Sequence, residues 1–194
     1  MASKIRLSPI GRLSFPSLFE PKKAMEGDSY AYEATLIFPA GTDLSEIEQA
    51  IDEAAEAKWG AKKSVMLKKV KHYPIKRNED CTDNEGNRRA GYEDGEGRHV
   101  KFKNEKAPNV IGRTKDPETG KWLALTKDEI FAGCYVKASF TCFAGEHEKG
   151  GPYVRMSLQN VQLIKEGEPF GGVVSDPNDD FTSDVDEDVL AALG

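Results

Sequence analysis

Histidine and cysteine are scarce in this chain, three of each in 194 residues, and no two of the six stand two to four positions apart. That spacing excludes the paired ligands of a structural zinc site. Cys81, Cys134 and Cys142 are odd in number, and the last two share one apolar strand face, where cysteine serves as a small hydrophobe, so reduced structural thiols are expected. Long apolar runs are missing: nothing approaches the ~20 residues that span a bilayer. The opening MASKIRLSPIGR meets charge and proline before a signal-peptide core can form, so a cytoplasmic protein is expected. Gly120-Lys121 is not a phosphate-binding loop, because Lys115 stands where its first glycine should and Trp122 replaces the magnesium-binding hydroxyl. Gly95 and Gly97 lie in a polar stretch and form no dinucleotide fingerprint. The carboxylates crowd polar segments rather than an apolar pocket that would separate their pKa values. The expectation is a protein without catalysis and without a cofactor.

What is present is a soluble composition, 38% hydrophobic and 31% charged, enough to bury one core. The net charge of -6 is unevenly placed. Residues 170–194 hold seven acidic side chains (Asp176, Asp179, Asp180, Asp184, Asp186, Glu187, Asp188) and no Lys or Arg. Taking those seven from 33 leaves 26 acidic against 27 basic residues, so residues 1–169 carry +1. A folded domain over 1–169 followed by a flexible acidic tail over 170–194 is therefore expected.

Strand signals dominate the body. Cys134 to Phe143 alternates Cys134, Val136, Ala138, Phe140 and Cys142 against Tyr135, Lys137, Ser139, Thr141 and Phe143, the period of a half-buried strand. After a Gly-rich turn the pattern returns, with Val154, Met156 and Leu158 on one face and Tyr153, Arg155, Ser157 and Gln159 on the other. Beyond Asn160 the apolar set shifts to Val161 and Leu163, as a bulge produces. Tyr30 to Phe38 reads as another strand, and short apolar runs before Pro21 read as entry strands at a sheet edge. One helix is convincing: Leu44, Ile47, Ala50, Ile51, Ala54 and Ala55 fall at helical spacing, capped by Thr42 or Asp43 and stopped at Gly60. Glu79 to Gly97 reads as a long polar loop. Many short strands, a lone helix and Gly-rich connections predict a mainly β protein, a small β-barrel with one main α-helix.

Lys62 to Arg77 holds seven basic residues and no acidic one. It is either a solvated positive face or a phosphate-contacting surface. The outer hairpin face pairs Tyr135, Phe143 and Tyr153 with Lys137 and Arg155, the combination that stacks bases and holds phosphates. The same two faces also suit an ordinary amphipathic hairpin, with Tyr135 and Tyr153 packing under a loop or at a homodimer contact. Candidate binding residues are Tyr135, Lys137, Phe143, Tyr153 and Arg155, then Lys101, Phe102 and Lys103, then Lys69, Lys71, Tyr73, Lys76 and Arg77. Alternation sets Phe102 opposite its two Lys neighbours.

The order of these pieces resembles the single-stranded DNA-binding proteins of tailed bacteriophages. The likeness rests on SYAYEATLIFP leading into the helix and its Lys58-Trp59-Gly60 end, on RHVKFKNEKAPNVI, on IFAGCYVKASFTCFA, and on MSLQNVQLIKEGEPFGG leading into SDPNDDF. The resemblance implies an OB-fold and sequence-independent binding of single-stranded DNA in phage replication and recombination, inside the infected host. It also implies an acidic tail that recruits replication proteins such as a DNA polymerase or helicase, here through Asp179, Asp180, Phe181, Asp184, Asp186, Glu187 and Asp188. The alternative from another class is a protein-protein adaptor on a β-barrel scaffold.

Overall fold

The computed structural model describes residues 4–23 and 29–170. Strands β1 (Arg6–Leu7), β2 (Gly11–Lys23), β3 (Tyr30–Phe38), β4 (Ile75–Arg77), β5 (Arg98–Asn104), β6 (Asn109–Lys115), β7 (Trp122–Ala124), β8 (Tyr135–His147) and β9 (Gly151–Lys165) join into one sheet. Five of them pair in a circuit that runs β2, β3, β5, β9, β8 and back to β2. Two long ladders, β2–β3 and β8–β9, meet through thin seams. One seam sets Gly11 and Arg12 opposite Val136 and Tyr135; the other is the parallel pairing of Phe102 with Met156. A five-stranded, partly open barrel is the OB architecture, as expected. β1 extends the edge of β8, β4 adds to β5, and β6 and β7 continue the sheet from β9.

Alternation along β8 and β9 decides what fills the barrel. Val136, Ala138, Phe140, Cys142, Val154, Met156, Leu158 and Val161 point inward and are buried. The ladder slips between Ser139–Asn160 and Phe140–Leu158, leaving Gln159 as the extra residue of a bulge and restoring the apolar register at Val161. The inner faces of β2, β3 and β5 add Leu13, Leu36, Phe38, Val100 and Phe102. Helix α1 (Ser45–Trp59) packs Ile47, Ala50, Ile51, Ala55 and Trp59 against this core. Buried Arg6 ties β1 to the helix, donating to Glu46 Oε2 at 2.6 Å and Glu53 Oε1 at 2.7 Å. Trp59 Nε1 donates to Glu146 Oε1 at 3.0 Å, fixing the helix C-terminus near the hairpin tip. The three cysteines are free, and burial pushes the Cys142 thiol up to about 12.

Four local expectations change. Helix α1 begins without a side-chain N-cap bond; Asp43 Oδ1 instead accepts the Ser45 N–H at 2.9 Å, a turn that precedes the helix. Helix α1 is not alone, since a short helix α2 (Lys63–Lys68), together with strand β4, lies within the basic stretch. Pro21 does not end the entry section: β2 continues to Lys23, with Pro16 placed at a register shift beside Phe15, whose φ of 46° is left-handed. The polar loop between β4 and β5 is anchored rather than loose. Tyr92 is fully buried and meets His99 edge-on at 5.2 Å, so the loop covers Ser14, Thr35 and Ile37 on the outer sheet face. One Tyr pointed at a patch that alternation leaves half apolar is a weak signal in sequence.

Candidate nucleic-acid interface

With the loop roofing one end of β3 and β5, the free outer face runs from Lys101 and Lys103 on β5 across β9 to β8. The register sets Arg155 directly opposite Phe143 and Tyr153 opposite Gly145, and paired residues share a face. Phe143 and Tyr153 meet edge-to-face, with centroids 6.3 Å apart, and the Arg155 guanidinium lies 4.7 Å from the Tyr153 centroid. Gly145 makes room: a Cβ there would come within 2.4 Å of Tyr153 Oη. Tyr30, Lys103, Lys106, Phe143 and Arg155 line one cleft of about 380 Å³. Lys101 stands beside it, its Nζ 2.7 Å from Glu33 Oε2, so part of its charge is already answered. The arrangement offers flat apolar rings beside cations, with Glu105 as the acidic side chain of the lining.

The remaining sequence candidates lie elsewhere. Phe102 is fully buried, with its ring 5.2 Å from Phe140; it is a core residue, because β5 alternation puts it opposite Lys101 and Lys103. Tyr135 stands at the other end of β8, beside Arg12, whose guanidinium is 5.6 Å from its ring centroid. Eight residues of strand separate it from Phe143, about 27 Å. Lys137 shares the outer face of β8 but opens onto a different groove. Lys69 and Lys71 are exposed after α2. Tyr73 lies toward α1, where burial, then Glu48, Cys142 and Asp52, push its phenol up. Lys76 pairs with His99 on the outer side of β4, and Arg77 is bonded to Glu79 at 2.7 Å. The tail residues Asp179, Asp180, Phe181, Asp184, Asp186, Glu187 and Asp188 lie outside the described residues.

A family model described as the single-stranded DNA-binding protein of Enterobacter phage Enc34 matches residues 3–190. The chain belongs to this family. A curated relative from Acyrthosiphon pisum secondary endosymbiont phage 1, "Putative protein p50", is 30% identical over 97% of this chain and 100% of its own length. Among solved structures, the Enc34 single-stranded DNA-binding protein in complex with single-stranded DNA superposes with a TM-score of 0.59 at 23% identity, over 86% of this chain and 89% of that one. The gp2.5 single-stranded DNA-binding protein of bacteriophage T7 gives 0.53 at 18% identity, over 91% and 99%. At these identities the structures establish a shared fold. The Enc34 family is one of binding proteins, not of enzymes.

Two residues of this Enc34-family chain escape a reading by alternation. Tyr30, the first residue of β3, is 53% exposed, although alternation alone sets it with the core residues Ala34, Leu36 and Phe38. Lys106 sits in the turn after β5, where its N–H is held by Asn104 Oδ1 at 3.2 Å. Both reach the cleft only because the barrel brings the start of β3 next to the end of β5, through the pairing of Tyr32 with Asn104. No helix among the described residues is long and apolar enough to cross a membrane.

Proposed function

We propose that this chain binds single-stranded DNA without sequence preference, laying the strand across the outer face of β5, β9 and β8. The observation that carries the reading is the single cleft shared by Tyr30, Lys103, Lys106, Phe143 and Arg155, at the sheet face with which OB-folds hold oligonucleotides. Bases stack on Phe143, Tyr153 and Tyr30, and the cations hold phosphates. Both superposed relatives are single-stranded DNA-binding proteins, one of them solved in complex with single-stranded DNA, which supports the choice of ligand. The protein acts in the infected bacterial host, in phage DNA replication and recombination. Residues 1–169 bind DNA, while the acidic segment 170–194 competes for the same cations and recruits replication proteins such as a DNA polymerase or helicase. A homodimer is compatible with this reading and is not required by it.

Fluorescence titration with a thymidine homopolymer tests the reading: tight binding should weaken with salt, with a log-log slope of about -0.7 per phosphate contacted. Salt-insensitive or absent binding refutes it. Deletion of residues 175–194 should tighten binding, and an unchanged affinity removes the competing role of the tail.

A further inference from the structure

We propose that the groove between β7 and the outer face of β8–β9 is a second base-stacking station for the same DNA strand, with Trp122 as its platform. The proposal rests on the reading that the Phe143 cleft takes single-stranded DNA. The groove encloses about 860 Å³ between Trp122, Phe19 and Lys121 at its rim and Lys137, Asn160 and Gln162 on the sheet. Trp122 is 45% exposed on a three-residue edge strand that packs no core with it. Its ring already attracts a cation, Lys115 Nζ lying 4.7 Å from the centroid. None of the residues lining the groove is acidic. A groove whose rings are Trp122 and Phe19 and whose charged lining residues are Lys121 and Lys137 fits an anionic polymer that also presents flat apolar faces, which describes unpaired nucleotides.

Continuity with the first cleft is the second argument. Lys137 and Phe143 are six residues apart on the same face of β8, about 20 Å. Between them the outer side chains are Ser139 and Thr141, with Ser157, Gln159 and Asn160 opposite. They form a polar track without an acidic side chain. Asn160 Nδ2 donates to Ser139 Oγ at 2.9 Å, and Asn109 Nδ2 to Asn160 Oδ1 at 2.7 Å, so the track is pre-ordered. A strand leaving the Phe143 cleft along this track arrives at Lys137 and Trp122.

The test compares thymidine homopolymers of about 6 and about 20 nucleotides, chosen to lie near the lower end and beyond the upper end of an OB-fold site. They are titrated into the wild-type full chain and its Trp122→Ala, Trp122→Phe and Phe143→Ala variants. The long-to-short affinity ratio should fall about tenfold in Trp122→Ala and recover in Trp122→Phe, which keeps a ring. Phe143→Ala should weaken both lengths. A wild-type ratio in Trp122→Ala, with Phe143→Ala still weakened, overturns the second station and leaves the first reading standing; such a groove serves a protein segment or a second copy instead. Absence of binding of either length by the wild type overturns both.

Discussion

The basic stretch Lys62 to Arg77 and the outer face around Phe143 make opposite uses of positive charge. In the first, cations are dense in sequence, and Lys63 and Arg77 turn toward carboxylates while Lys69 and Lys71 are exposed. Glu48, Asp52 and Glu56 recur every four residues along α1 and so share one side of it. Lys63 Nζ meets Asp52 Oδ1 at 2.8 Å and Glu56 Oε2 at 3.2 Å. In the second, Lys103, Lys106 and Arg155 are scattered over 53 positions of chain and converge on one cleft. In the basic stretch Lys63 ties the start of α2 to α1, whereas the cations gathered by the sheet line a cleft with aromatic rings.

The sharpest way to break the contrast between faces is to exchange ring for methyl on each side of the sheet. Phe102→Ala, inside, should cost about 3–5 kcal/mol of stability in denaturant unfolding, the range for a buried aromatic truncated to Ala. A small loss there would return Phe102 to the binding set. Acidification probes the roofed part of the outer face. His99 is buried beside Asn78 Oδ1, 3.3 Å from its Nδ1, and burial first, then Lys76, hold its pKa down at about 4 against an ordinary 6.5. The unfolded chain thus binds more protons between those values. This contribution to stability is intact above about 6.5 and shrinks as pH falls toward 4, by up to about 1.4 kcal/mol per pH unit. The loss should be visible as a difference between wild type and His99→Gln across that window, and parallel pH profiles would contradict the burial. Phe143→Ala should cost about 1–3 kcal/mol of affinity for single-stranded DNA while barely moving the melting temperature; an unchanged affinity means that bases stack elsewhere. Arg155→Gln should flatten the salt slope by about 0.7. Smallest of all, Lys69→Ala with Lys71→Ala should leave the slope where it was, and a fall there would restore the basic stretch to the binding surface.

Sequence periodicity reveals the barrel strands because each side of β8 and β9 faces a different solvent, and it reveals the bulge because an extra residue flips the apolar register. The same periodicity already separates Phe102 from its lysines. It is silent about Tyr30 and Lys106, whose neighbourhood arises from a β3–β5 pairing more than 70 residues apart in the chain. It does not show that Lys63, within the basic stretch, meets Asp52 and Glu56 of α1, because tertiary packing alone brings that helix face to it. It also cannot distinguish a loop that covers a face from one that leaves it bare, since a single Tyr92 carries that difference.

Arg12 lies 4.2 Å from the centroid of the Phe170 ring and donates to Glu168 O at 2.8 Å, while the Phe170 N–H reaches Ala132 O at 3.0 Å. This clasp turns the choice of cutting site for a tail deletion into a structural variable. A truncation ending before Phe170 strips the aromatic lid from Arg12 next to the β2–β8 seam and tests barrel closure along with charge. One ending just after Phe170 removes 24 residues and leaves the clasp shut, so the pair of truncations separates a loosened barrel from a freed binding face.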